Sequence, residues 1–256
     1  VGWALFSVSV CLLQALASYA GTVPLRVLTY NIHHGEGRDQ RIDLDRIAGV
    51  IRDTNANVVC LQEVDRNQPR SQQLDFPAEL SKRLGMPVVF ENNYAFGGGE
   101  YGNATLTRLE MVSHENIPLP NPNNAEPRGC LKTVVKTPAG NVQILNTHLG
   151  LNETERAQQV EALLKAVGQE PLILAGDFNE GIDQPGVAKI AADYQDALGK
   201  AGVPKTHGER ARIDHIFVSS EFEVVFSRMV STAVTKMASD HFPYMTEMFL
   251  RGKQTK

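Results

Sequence analysis

The sequence predicts an α/β chain in which two β-sheets pack on each other and helices cover their outer faces. Short apolar, β-branched runs outnumber amphipathic helical stretches, and both helical crossovers and strand–turn–strand connections occur. The 256 residues, 42% of them hydrophobic, suffice for one large core, and no interior linker, low-complexity run or solenoid repeat divides them.

In chain order, residues 23–30 read as a strand. Asp43 then opens a helix over 43–52 with Leu44, Ile47 and Ile51 on one face. Residues 58–62 form the next strand, 77–84 a helix and 87–91 an extended segment. The runs 103–107, 131–136 and 142–147 are β-branched, the last two hinged by the turn signature TPAGN. Asn152 and Glu155 resemble a capping pair, followed by a helical stripe of Ala157, Val160, Leu163 or Leu164, and Val167. Strands at 171–175, 215–219, 223–229 and 244–250 complete the pattern. PLPNPNNAEP (118–127) reads as a loop, and so does the Gly-rich FGGGEY (96–101). The latter lacks the Lys and Ser/Thr of a nucleotide-binding P-loop.

Residues 1–20 stand outside this pattern. The stretch is apolar, broken by Ser7, Ser9 and Gln14, and ends in small-x-small sites that suit signal cleavage after Ala17 or Ala20. A secreted or periplasmic protein is the expectation, with residues 21–256 as the domain. An uncleaved membrane anchor is the competing reading, because the run is near the short limit for spanning. Val10 before Cys11 does not suit a lipoprotein signal.

The formal net charge is -4, with 25 basic against 29 acidic residues. That balance argues against a dedicated polyanion binder, though not against an enzyme with nucleic acid as substrate. Beyond the leader only Cys60 and Cys130 remain. Cys60, inside VVCLQ, reads as a small buried apolar side chain. A disulfide to Cys130 is permitted in an oxidising compartment but nothing in the sequence favours it.

The informative polar residues sit where apolar strands stop. Asn31 follows VLTY, Glu63 follows VVCLQ, His148 follows ILNT, and Asp177 and Asn179 follow LILAG. Asp214 and His215 precede IFVS, and Asp240 and His241 precede PYMTEMF. Strand ends of a sheet sandwich converge on one rim, so residues distant in sequence can meet there. Glu63, Asn31 and Asp240 offer hard oxygen ligands, suited to Mg²⁺, Mn²⁺ or Ca²⁺. No paired cysteines and no H-E-x-x-H arrangement suggest zinc. Two histidines with nearby carboxylates suit proton transfer near neutral pH. Metal, imidazole and amide donors together are what phosphate-ester hydrolysis requires.

The series LTYNIH, LQEVD, YGNATLTR, NTHLG, GDFN, RIDHIFVS and SDHFP resembles the endonuclease/exonuclease/phosphatase superfamily, the deoxyribonuclease I-like fold. The resemblance covers residues 25–250 and implies a four-layer α/β sandwich, two central mixed sheets flanked by helices, with the site at their rim. It further implies Glu63 as principal metal ligand with Asn31 beside it and Asp240 near the metal. Asp177 and Asn179 would position the attacking water and the phosphate. His241, oriented by Asp214, would be the base. Asn103 and Tyr101 would bind phosphate oxygens, and Arg128 could clamp one. NTHLG is similar to the deoxyribonuclease I, sphingomyelinase and inositol-phosphatase branches, in which His148 would be catalytic. Glu100 is the carboxylate nearest in motif position to support it.

His33, His34, His114, His207 and His215 read as structural or solvated, with one of the His33/His34 pair a candidate for the pocket border. The implied activity is a Mg²⁺-dependent phosphoesterase, a monomer with no stable protein partner. The flanking loops are mixed in charge and short of Lys, which does not favour DNA. ENNYAFGGGEYGNATLTR resembles small bacterial members and the terminal domain of glycolipid-anchor remodelling proteins, which implies a phospholipid head group or other small phosphodiester. A DNase I-like endonuclease is the alternative reading. A catalytically dead binding module would be signalled by loss of Glu63, Asp177, Asn179 or either histidine, and all are present.

Overall fold

The computed structural model describes residues 24–199, 206–207 and 212–251; the expected leader lies outside them. Alternation along β1 (Leu25–Asn31) sets the layering. Leu25 and Val27 enter one apolar cluster while Leu28 and Tyr30 enter another, because successive side chains of a strand point to opposite faces. β1 pairs in parallel with β2 (Val58–Arg66) and antiparallel with β12 (Tyr244–Leu250). With β3 (Val88–Phe96), β4 (Gly99–Thr107) and β11 (Phe222–Met229) they form a six-stranded sheet of order β11-β12-β1-β2-β4-β3.

The second six-stranded sheet has the order β5-β6-β7-β8-β10-β9. Its strands are β5 (Glu110–Pro118), β6 (Gly129–Thr137), β7 (Gly140–His148), β8 (Leu172–Asp177), β9 (Gln195–Asp196) and β10 (Asp214–Val218). Each sheet has one parallel pair, β1–β2 and β7–β8, and a parallel pair needs a crossover. Helices α1 (Leu44–Thr54) and α3 (Glu153–Ala166) provide them. Both start on the caps read from the sequence: Asp43 accepts from the Arg46 N–H, and Asn152 from those of Thr154 and Glu155. Helix α2 (Phe76–Leu84) begins the same way on Asp75.

Three buried apolar clusters define the layers. One joins α1 and α2 to the first sheet through Ile47, Ile51, Leu80, Leu28 and Leu61. A second lies between the sheets, with Val27, Val58 and Cys60 against Ile144, Ile173 and Ile216. The third packs α3 and α4 (Pro185–Asp193) on the second sheet through Val160, Leu163, Val187, Leu174 and Phe217. The result is the four-layer sandwich. Toward one rim the layer between the sheets turns polar. Gln62 donates to Asn146 Oδ1 at 2.7 Å, and the Asn146 amide donates to the carbonyls of Leu61 and Ala104 at 3.2 and 2.9 Å. These buried bonds fix the sheets in register beneath the strand ends named above.

The structure departs from the sequence reading in several elements. FGGGEY is a hairpin: β3 and β4 pair through Phe96–Gly99, and Gly97 and Gly98 make the two-residue turn with φ of 58° and 90°. β5 was not predicted, because it is a largely exposed edge strand with no apolar alternation. Helix α4 and the six-residue helix α5 (Ala233–Ala238), capped by Thr232, also lie outside the predicted elements. Cys60 and Cys130 are both buried free thiols. Among the described residues no helix is long and apolar enough to cross a membrane.

Candidate active site

Three strands of the second sheet end in one row. Asp177, the last residue of β8, lies opposite His148 of β7 on one side and Asp214 of β10 on the other. Gly176 allows this close pairing, since a Cβ there would overlap the Thr147 carbonyl. The chain then turns sharply. The Asn179 N–H donates to Asp177 Oδ1 at 2.9 Å, Asn179 has φ 50°, and its amide donates to the Leu149 carbonyl at 2.9 Å. Glu180, which closes the ILAGDFNE stretch, is buried and accepts from the Val187 N–H, so it anchors α4 rather than facing substrate.

The first sheet contributes the opposite wall. β2 carries a bulge: its pairing with β4 jumps from Leu61↔Ala104 to Val64↔Gly102, leaving Gln62 and Glu63 opposite Asn103 alone. Glu63 takes φ 56° there, which aims its carboxylate at the rim. The His33 N–H donates to Asn31 Oδ1 at 3.0 Å, which orients the Asn31 amide. Its NH₂ therefore donates to Glu63 at 2.9 Å and to Asp177 at 3.1 Å, tying the two sheets' carboxylates together. In this arrangement Asn31 presents its nitrogen, not its oxygen, to Glu63.

His241 is placed by Ser239, whose hydroxyl donates to the Asn31 carbonyl and accepts from the His241 N–H. Its Nδ1 lies 2.9 Å from Asp214 Oδ2. Its Nε2 lies 3.6 Å from Asp177 Oδ2, and His148 Nε2 stands at the same 3.6 Å on the other side. His148 Nδ1 is 2.9 Å from the Arg128 guanidinium, which can only donate. Nδ1 is therefore the acceptor, and on the neutral ring Nε2 carries the proton; the Asn179 amide nitrogen lies 3.2 Å from that Nε2 and gives its own hydrogen bond to the Leu149 carbonyl. Arg128 is itself held by Glu126 at 2.6 Å.

These surroundings set opposite charge states. Burial and the Arg128 charge hold His148 well below the usual histidine range, so it is neutral. Burial would also lower His241, but the carboxylates of Asp214 and Asp177 outweigh it and raise the imidazole to about 10. Asp177 is pushed up to about 7, chiefly by burial; His241 pulls it down and Asp214 up. Glu63 behaves differently. Burial would raise it, yet the His34 imidazole and Asn31 amide beside it leave its carboxyl well below the ordinary range. A permanently ionised carboxylate at the rim is a fit first ligand for a divalent cation.

Several expectations are corrected by this geometry. Glu100 does not support His148; it pairs with Arg66. Asp240 groups with His207 and His241, its Oδ2 3.5 Å from His207 Nε2, rather than with Glu63. The Asn103 amide is buried and donates to the Gly129 and Asn146 carbonyls at 3.0 and 3.4 Å, so it joins the sheets instead of facing phosphate. Tyr101 is nearly buried under the Arg70 guanidinium, 5.2 Å from its ring centre, and next to Arg128. The carboxylates of Asp214 and Asp177 favour the charged form of His241, a hydrogen-bond donor, over the neutral base that the resemblance implies. His215 is structural, fully buried, with Nε2 2.8 Å from the Glu180 carbonyl. His34 approaches Glu63, as anticipated for one of that pair.

The family model for the endonuclease/exonuclease/phosphatase family matches residues 28–241. The chain belongs to this family. Among curated proteins it is 28% identical over 257 aligned positions to the uncharacterized protein YbhP of Escherichia coli K12, covering 88% of this chain and 96% of that one. Among solved structures, an endonuclease/exonuclease/phosphatase from Beutenbergia cavernae superposes with a TM-score of 0.77 at 27% identity. The match covers 91% of this chain and 73% of that chain. A mannosyl-6-phosphatase from Bacteroides thetaiotaomicron shares the fold at 20% identity and TM-score 0.71, over 88% and 99% of the two chains. As a family member the chain is a phosphoester hydrolase.

Proposed function

We propose that the protein hydrolyses a phosphodiester by in-line attack of water, with Asp177 as proton acceptor between two histidines of unlike charge. The observation that carries this is the position of Asp177 Oδ2, 3.6 Å from Nε2 of both His148 and His241. A phosphate seated above that row meets the His241 imidazolium, the Asn179 amide and the Arg128 guanidinium, donors that match its developing negative charge. Asp177, poised near neutrality, takes the proton of the attacking water. Neutral His148 hydrogen-bonds the leaving oxygen through its Nε2–H and keeps that proton, and the departing alkoxide takes its proton from solvent. A divalent cation bound at Glu63, whether Mg²⁺, Mn²⁺ or Ca²⁺, would supply Lewis-acid stabilisation of the phosphate oxygens.

For the substrate we favour a small phosphodiester such as a phospholipid head group. Leu151 is 77% and Met237 42% exposed, three and four residues from His148 and His241 respectively. Exposed apolar side chains on the segments that carry both histidines suit an amphipathic substrate better than a DNA backbone. The apolar leader fits an exported enzyme. A panel of sphingomyelin and phosphatidylinositol vesicles, inositol phosphates, bis-p-nitrophenyl phosphate and duplex DNA, each with Mg²⁺ and Mn²⁺, tests the reading. Turnover of DNA at rates above all other substrates would establish the nuclease alternative instead.

A further inference from the structure

The mechanism leaves unused a pair of histidines on the turn after β1. His33 and His34 form a short 3₁₀ turn with φ of 45° and 41°, and Glu63 on the neighbouring bulge has φ 56°. Three members of one cluster in left-handed backbone, none of them glycine, are a strained arrangement that the surrounding fold must impose. The strain brings one ligand atom from each of His33, His34 and Glu63 to within 4.8 Å of one another.

The ring orientations add a second line of evidence. His33 Nδ1 lies 3.1 Å from the Glu36 carbonyl, which can only accept, so Nδ1 holds the proton and Nε2 bears the lone pair. His34 turns Nε2 toward the Glu36 carboxylate at 3.6 Å and leaves Nδ1 buried, without a hydrogen-bond partner, 3.9 Å from Glu63 Oε2. A buried ring nitrogen with no partner is costly unless something else occupies it. One imidazole N–H engaged by a carbonyl or carboxylate, with the other nitrogen free, is how metal-binding histidines are held.

We propose that His33 and His34 complete, with Glu63, a two-histidine, one-carboxylate cation site that selects Mn²⁺ or a similar borderline ion over Mg²⁺. The inference rests on the placement of the cation at Glu63 made above. Imidazole donors favour the later first-row ions, whereas Mg²⁺ prefers oxygen and retained water. Asn31 reinforces the choice, since it turns its amide nitrogen toward Glu63 and so adds no oxygen on that side.

The test uses the full-length protein stripped with a chelator and reloaded with one equivalent of Mn²⁺. Pulsed electron-spin-echo spectroscopy should show directly coordinated imidazole ¹⁴N, and competition titration should show Mn²⁺ binding at least about 10-fold tighter than Mg²⁺. His33→Asn and His34→Asn keep a residue that tolerates left-handed backbone. Each should weaken Mn²⁺ by about 10- to 100-fold, affect Mg²⁺ less, and diminish the ¹⁴N signal. The wild-type spectrum needs no variant, so a misfolded mutant does not remove the test. Tight Mn²⁺ without coordinated ¹⁴N, or a ¹⁴N signal and metal preference intact in the double variant, overturns the histidine ligands. Mn²⁺ binding unchanged in Glu63→Gln overturns the placement of the cation itself.

Discussion

Two imidazoles flank Asp177 at the same 3.6 Å, and their neighbours give them different work. Burial and Arg128 keep His148 neutral, and in the proposed mechanism its Nε2–H assists the leaving oxygen without storing charge. His148→Ala should lose about 10²–10⁴-fold on an ordinary phosphodiester. A p-nitrophenyl ester, whose leaving group needs little help, should recover much of that loss, whereas Asp177→Asn should not be rescued. Steady-state rates of both variants on both esters check this, and equal rescue would remove the assignment. His241 shows its charge through stability. Its pKa is raised to about 10 from an ordinary 6.5, so the folded metal-free protein binds more protons than the unfolded chain between those values. The contribution is fully present below about pH 6.5 and lost as pH rises through about 10. Asp177, raised from 3.8 to about 7, adds a decline of the same sign at lower pH. Urea melts of the chelated protein should therefore show stability falling from pH 6.5 to 10, and His241→Gln should flatten that slope.

At the scale of elements, the site depends on two backbone irregularities, one in each sheet. The β2 bulge turns Glu63 to the rim, and the close approach of β8 to β7 sets Asp177 beside His148. Gly176→Ala would force a Cβ into the Thr147 carbonyl, backbone that cannot step aside. It should cost about 3 kcal/mol or more in a denaturant melt. Gly98→Ala in the β3–β4 turn meets open space and only an unfavourable φ of 90°, so about 1–2 kcal/mol is expected. Gly176 also has φ 156°, so the excess of its cost over that of Gly98 measures the added steric clash. Similar values for the two would mean that β7 and β8 can part at the site.

Across the whole molecule, three apolar layers carry stability and a polar rim carries the chemistry, so function can be removed without unfolding. Chelation should abolish hydrolysis while shifting the melting temperature little, and Glu63→Gln should reproduce the loss with near-native melting. Glu63 is partly exposed at a bulge and belongs to none of the three apolar clusters. Circular dichroism melts beside the activity assay check both. Hydrolysis that survives chelation would exclude the cation from the mechanism.

The sequence by itself determined the layers, the parallel crossovers with their Asp43 and Asn152 caps, and the polar residues that end each strand. Those features are local: side-chain alternation, helical periodicity and capping act over a few residues. What only the tertiary structure decided depends on groups far apart in the chain. Arg128 rather than Glu100 partners His148, Asp240 faces His207 and not Glu63, and Asn103 is spent joining the sheets. β5 was illegible because an exposed edge strand needs no apolar alternation. The β2 bulge left no mark in LQEVD, since it is a mismatch with β4, 40 residues away. The charges of His148 and His241 were equally out of reach. Both are buried histidines at strand ends, and desolvation with the sign of the nearest partner, Arg128 or Asp214, decides which one keeps its proton.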